Sequence, residues 1–180
     1  INTATGDVIG FINSDDFYPT SDVLTNVMQV FTEEAYDICY GDLCYVNQKK
    51  INEIVRYWRS SEFITGSFRN GWCPPHPTFF VRRNIYEQYG MFDLDYKIAA
   101  DFELMMRFLE VSKINAKYLP KVLVHMRLGG ETNKSIKNII RQNKEIWHAL
   151  KSHGMKPSLF GFMSGKLLSR SKQYVVRPAN

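Results

Sequence analysis

At 180 residues, with 44% hydrophobic and 14% aromatic content, the chain can build one domain with its own core, and it is too apolar for a disordered segment. Cys39, Cys44 and Cys73 form no C-x-x-C pair and are odd in number, so neither a disulfide framework nor a zinc ribbon is suggested, and no long apolar run marks a membrane span. The net charge of +5 is unevenly spread: residues 134–180 hold ten Lys and Arg against a single acid, Glu145, while the preceding residues carry more acids than bases. A basic tail on an acidic body is either a solvated helix face or a surface that meets something anionic. With no RRM-type aromatic motif and no helix-turn-helix cue, nucleic acid is not the expected partner. Buried, reduced thiols in a cytoplasmic protein are the simplest account of the cysteines.

In chain order, a Gly stop at Gly6 precedes an apolar run over 8–12 that reads as a buried strand. The turn Ser14-Asp15-Asp16-Phe17 follows. Capping residues then open a helix whose stripe is Val23, Val27, Val30 and Phe31. Residues 37–58 read as two strands joined by the polar turn Asn47-Gln48-Lys49-Lys50. A short helix is expected over 60–68, and a Pro-rich loop leads to a strand over 78–81. Next come a short helix stopped by Gly90 and a stronger helix over 99–111 with the stripe Phe102, Met105, Met106 and Leu109. A strand over 122–126, a polar connector with Gly129 and Gly130, and a helix over 135–153 carrying Ile136, Ile139, Ile140, Ile146 and Leu150 complete the body. The rest, 157–178, mixes apolar and basic residues without acids. The alternation of strands and helices points to an α/β fold.

Four constellations carry possible chemistry. Asn13-Ser14-Asp15-Asp16 leaves the C-terminal end of a strand that feeds a helix, the position where open α/β sheets bind ligands. Adjacent carboxylates there either form an Asx-type turn or hold a hard divalent cation and a ribose hydroxyl. Asp101, near a helix start, is either favoured by the helix dipole or a general base facing a cleft. The Gly129-Gly130 pair, with Thr132, Lys134 and Ser135 beyond it, is either a flexible connector or a backbone cradle for phosphate. Trp72 and His76 in the Pro-rich loop are either packing residues or contacts to a sugar ring and to a hydroxyl or phosphate.

The order and spacing of four blocks, "TATGDVIGFINSDDFYPTSDVLTNVMQVF", "YGDLCYVN", "PPHPTFFVRRNIYEQYGMFDLDYKIAADFELMMRFL" and "YLPKVLVHMRLGGETNKS", resemble the family 2 glycosyltransferases. The likeness is strongest to the bacterial branch that builds colanic acid, O-antigen and capsular polysaccharides. It covers roughly residues 1–150. The resemblance implies the C-terminal portion of a GT-A domain, Rossmann-like with a mixed sheet, over 1–133, followed by a basic helical extension over 134–180. It also implies Mg or Mn as cofactor, a nucleotide-diphosphate sugar as donor, a saccharide or lipid-linked acceptor, and inversion at the anomeric carbon. By the same likeness Asp16 would bind the metal, and Asp15 would share it or touch the ribose. Asn13 stands where many members have Asp, so it can bond a ribose but adds no charge. Asp101 matches the catalytic base, and Gly129, Gly130 and Thr132 match the loop over the diphosphate; His76 is expected as a donor contact from its place in the Pro-rich loop and not from the family match.

Family members open with further strands that hold base and ribose, whereas this sequence opens on Ile1 just before the acidic motif. The expectation is a half-built nucleotide pocket and poor activity for the 180 residues alone. The alternative from another class is a non-catalytic binding or membrane-attachment module. For the tail, the expectation is peripheral attachment to anionic lipid at the inner face of the cytoplasmic membrane, through Leu159, Phe160, Phe162, Leu167 and Leu168. The competing account is a helix packed back onto the body.

Overall fold

A computed structural model describes residues 1–33, 35–129, 136–176 and 178. Strand β1 (Val8–Ile9), helix α1 (Val23–Glu33), strands β2 (Ile38–Val46), β3 (Ile54–Trp58) and β4 (Phe80–Arg82) and helices α2 (Arg83–Tyr89) and α3 (Ala100–Met106) follow one another. Strand β5 (Ala116–Arg127) and helices α4 (Ile136–Ser152) and α5 (Leu159–Val175) complete the chain. The spine is β2. One edge pairs in parallel with β5, from Ile38 opposite Ala116 to Val46 opposite Arg127. The other edge is shared: Ile38 and Cys39 pair antiparallel with β4, and Leu43 to Val46 pair antiparallel with β3. Beyond β4 lies β1, also antiparallel. The sheet is therefore mixed and open, as the α/β reading expected.

The period-two alternation of the strands sorts two cores onto the two faces. Cys39, Leu43 and Phe80 pack under the apolar stripe Val23, Val27, Val30 and Phe31 of α1. Ile38, Tyr40 and Val81 face the larger cluster, built with α2, α3 and α4. Ile146, Ala149 and Leu150 of α4 and Phe162 of α5 are buried in that same cluster. A nearly unbroken apolar strand such as β2 is what a sheet covered on both faces requires.

Several elements differ from the sequence reading. Strand β1 ends at Ile9, not residue 12, because the chain there crosses the Phe80 ring. A Cβ on Gly10 would lie 2.5 Å from that ring. No helix forms over 60–68. Instead Gly66 takes φ +89° and donates its N–H to Glu110 Oε1 at 2.6 Å, and a single 3-10 turn, Phe68–Asn70, follows. Strand β4 starts late because His76–Thr78 is itself a 3-10 turn, anchored by the Thr78 hydroxyl donating to Gly41 O and Pro75 O. The helix over 99–111 is α for seven residues and then a π turn, Arg107–Val111. Strand β5 is much longer than 122–126: it accommodates Pro120 through register shifts opposite Tyr40–Leu43, so pairing continues on both sides of the residue that lacks an N–H.

The tail also departs from expectation. Phe162, read as a lipid contact, is 2% exposed and sits edge-on to Trp147. Leu159, Phe160, Leu167 and Leu168 are exposed. Helix α5 is thus packed back on the body through one face, backbone against backbone. A Cβ on Gly165 would meet Asn70 O at 2.0 Å, and one on Gly71, which has φ +79°, would meet Phe162 O at 2.9 Å. No helix among the described residues is long and apolar enough to cross a membrane.

Candidate functional site

The acidic turn is closed by two bonds within itself. The Asp16 N–H donates to Asn13 O at 3.1 Å, and the Asn13 side-chain amide donates to Asp16 Oδ2 at 2.7 Å. It is then strapped to the end of β5. Phe17 and His125 exchange backbone hydrogen bonds, and the Arg127 N–H donates to Asp16 Oδ1 at 3.2 Å. Burial raises the Asp16 pKa above its ordinary value. The Asn13 and Arg127 donors oppose that rise, the neighbouring Asp15 charge adds to it, and His76 pulls the other way. The carboxylate is therefore desolvated, with a like charge beside it. Asp15 itself is exposed.

Asp101 stands in the first turn of α3. Its position is fixed from three directions. Glu145 of α4 accepts the N–H groups of Ile98 and Ala99 at 2.8 and 3.0 Å, so another helix supplies the cap of α3. The Arg107 guanidinium grips Glu103 and the carbonyls of Tyr89, Gly90 and Met91, tying α3 to the end of α2. His153, just past α4, lies 2.9 Å from Glu103 Oε1. The Pro75–Pro77 turn then brings His76 Nδ1 to 3.1 Å from Asp101 Oδ2. His76 is thus at bonding distance from one predicted carboxylate and within electrostatic reach of the other.

A cavity of about 220 Å³ opens beside Asp101 and His76, and Asn13, Asp15 and Asp16 are not among its lining residues. Asp101, His76, Arg127 and Gly129 line it, and Asp16 is fastened to its rim through Arg127. Gly129 has φ +126° and open space around it, so its backbone can approach a ligand closely. Gly130 and Thr132, with Lys134 and Ser135, lie outside the described residues. Trp72 does not line the cavity. It packs against Phe63, Phe68 and Tyr40, and its indole N–H donates to Ser61 Oγ. The aromatic wall comes instead from Tyr45 and Trp58, which the sequence reading passed over, together with Arg56, Lys166, Arg170 and Gln173. A signal for the strand part existed: Leu43 pairs with Trp58 and Tyr45 with Arg56, two residues apart on each of two adjacent antiparallel strands.

Among the described residues, no group of three or more His, Cys, Asp and Glu gathers to hold a metal ion. The described residues therefore build no cage of three or more such ligands. What they offer is a pair of adjacent carboxylates, one of them desolvated, each oxygen of which keeps a lone pair beyond its present bond. That donor set suits a hard cation held by one or two carboxylates and completed by water and substrate phosphate.

The cavity brings one carboxylate, Asp101, together with the cationic side chains of Arg56, Arg127, Lys166 and Arg170. No protein-family model matches the chain. It is 26% identical over 135 residues to the PGL/p-HBAD biosynthesis glycosyltransferases of Mycobacterium bovis (strain BCG / Pasteur 1173P2) and Mycobacterium tuberculosis (strain ATCC 25177 / H37Ra). The match covers 74% of this chain and 50% of each relative, so the chain spans about half the length of the curated relatives it matches. The chain is a distant relative of proteins named as glycosyltransferases.

Proposed function

We propose that the chain carries the metal-motif and acceptor half of an inverting, family 2 glycosyltransferase of GT-A type. Such an enzyme moves a sugar from a nucleotide-diphosphate donor to a saccharide or lipid-linked acceptor. The observation that supports it best is the cavity that Asp101 and His76 line and to whose rim Asp16 is fastened. In this reading Asp101 takes the proton of the attacking acceptor hydroxyl, a contribution of about 10²–10⁴-fold for a positioned general base. His76 holds Asp101 Oδ2 and the Phe102 N–H holds Oδ1 at 2.8 Å, so the carboxylate is oriented through both oxygens and would take the acceptor proton on a remaining lone pair. Asp16 and Asp15 would hold Mg or Mn, which when bound supplies positive charge to the departing diphosphate. Asn13 orients Asp16, and the Gly129 backbone lies where a diphosphate would pass.

The test separates the two roles. In the intact enzyme, Asp101→Asn lowers the transfer rate by about 10²-fold or more while Mn-dependent binding of a nucleoside diphosphate persists. Asp16→Ala abolishes that binding. Retention of transfer by Asp101→Asn refutes the base assignment, and metal-independent nucleotide binding refutes the role of Asp16.

A specific feature favours membrane attachment alongside catalysis. Between α4 and α5 lies an open groove floored by Ile140, Trp147, Leu159 and Met163, with Lys144 and Lys151 beside it. Phe160, Leu167 and Leu168 are exposed on α5, and the single acid of this region, Glu145, is turned to α3. An apolar face rimmed by lysines complements an anionic lipid surface. Co-sedimentation with vesicles containing phosphatidylglycerol, lost in the double substitution Leu167→Ser/Leu168→Ser and by salt, supports it. Binding unaffected by that substitution overturns it.

A further inference from the structure

Helix α5 is built inside out. Phe160, Met163, Leu167 and Tyr174, at helical spacing, face solvent. Lys166, Ser169, Arg170 and Gln173, also at helical spacing, line the cavity. An ordinary surface helix does the reverse. The arrangement is held by the backbone contact of Gly165 with Asn70, which leaves α5 no room to rotate its apolar stripe inward.

Two more cations stand on the same walls, Arg56 from β3 and Arg127 from the end of β5. The Arg56 guanidinium lies 4.3 Å from the Tyr45 ring centroid and donates to Gln173 Oε1, so it is pre-set before any ligand arrives. The Arg127 Nε atom is buried without a hydrogen-bond partner. The Lys166 ammonium donates to the neutral Asn143 Oδ1 at 2.7 Å, and burial and the Arg170 charge pull its pKa down to about 8. Among the described residues, no carboxylate pairs with any of these four cations. Asp101 is the acid lining this cavity, and it is engaged with His76. Arg56, Arg127 and Lys166 are half-buried and Arg170 is exposed at the mouth; cations gathered on one concave wall without a carboxylate partner are costly where they are desolvated unless an anion completes them.

We infer that the wall formed by Arg56, Arg127, Lys166 and Arg170 is an anion subsite that takes a phosphate-class group of the substrate, and that α5 is therefore part of the substrate site. The inference rests on the transferase reading only for the source of the anion, which is either the donor diphosphate or a phosphate on the acceptor. The chemistry recognised is the same for both.

Inorganic pyrophosphate is the probe. Its binding to the full chain is followed by quenching of tryptophan fluorescence, since Trp58 lines the cavity, and by calorimetry, at about 0.15 M salt, where long-range attraction is screened. Arg170→Gln and Lys166→Met each weaken binding about tenfold or more. Lys172→Gln, which removes the same charge from a position on the same helix that does not line the cavity, leaves it unchanged. Circular dichroism melts of all three variants show that the fold is kept. The same titration in Asp16→Ala, with and without Mn, identifies the source. Binding that needs Mn and Asp16 assigns the wall to the donor diphosphate. Binding indifferent to both assigns it to an acceptor phosphate, and would stand even if the metal assignment failed. No binding by the unaltered chain, or equal loss in Lys172→Gln, overturns the inference.

Discussion

Replacing Glu145 tests how Asp101 is held. Its carboxylate accepts from Ile98 N at 2.8 Å, Ala99 N at 3.0 Å and Arg141 Nε at 2.9 Å. The first two bonds are the cap of α3, and losing a capping acceptor costs about 0.5–2 kcal/mol. The Arg141 pair is an i,i+4 contact with an exposed partner and adds only about 0.3–0.5 kcal/mol. Glu145→Ala is therefore expected to destabilise the chain by about 1–2 kcal/mol. Glu145→Gln keeps an acceptor but loses the charge that favours a helix N-terminus, for about 0.5–1 kcal/mol. Urea denaturation followed by far-ultraviolet circular dichroism measures both. The pH dependence follows from the sign of the shift. Burial alone would raise the Glu145 pKa, but the two backbone donors and Arg141 outweigh it and hold the carboxyl below its usual 4.5. Its contribution is complete above that value and fades as pH falls through the lower folded one. The gap between the unaltered chain and Glu145→Gln should thus be full at neutral pH and close as the solution is acidified below the ordinary carboxyl value of 4.5. A gap that stays constant across that range, or an alanine variant within about 0.3 kcal/mol of the unaltered chain, refutes the capping argument.

Phe162→Ala is expected to cost about 3–5 kcal/mol, because it empties a fully packed aromatic site. Phe160→Ala, two residues away and facing solvent, should stay within about 0.5 kcal/mol; denaturation midpoints of the pair decide which face of α5 is packed. Glu103→Ala strips Arg107 and His153 of a carboxylate that is only 3% exposed, for a loss of about 3 kcal/mol or more, read by thermal melting. Gly165→Val forces α5 away from Asn70 O and should cost about 1–3 kcal/mol, with a change in Trp58 emission as the cavity wall moves.

The residues that pair up locally were legible. The α1 stripe, the two strands around Asn47–Lys50 and the Gly90 stop all follow from neighbours within a few positions. The acidic turn and Asp101 became candidates through the order and spacing of the family-like blocks, because carboxylates at a turn and at a helix start also serve as Asx turns and helix-dipole partners. What decided the remaining elements lies far away in sequence. The 60–68 stretch has helical spacing, yet Gly66 answers to Glu110 and the Phe63–Phe68–Trp72 cluster answers to the core, so tertiary contacts override propensity. Strand β5 reads as short because Pro120 breaks the pattern, and the register shifts that absorb it exist only in the presence of β2.

The tail shows why composition alone misassigns a face. Ten basic residues against one acid suggest a surface that meets an anion, and apolar residues at helical spacing suggest a buried stripe. Both inferences suppose that polar side chains point out. In α5 the Gly165 contact fixes the rotation first, and it points Lys166, Arg170 and Gln173 toward Asp101 while leaving Phe160 and Leu167 in solvent. The one acid is spent on capping α3. The charge excess therefore does not all belong to the outer surface: part of it faces the cavity that holds the candidate base, which is why substitutions in this helix should alter ligand binding and not only association with membranes.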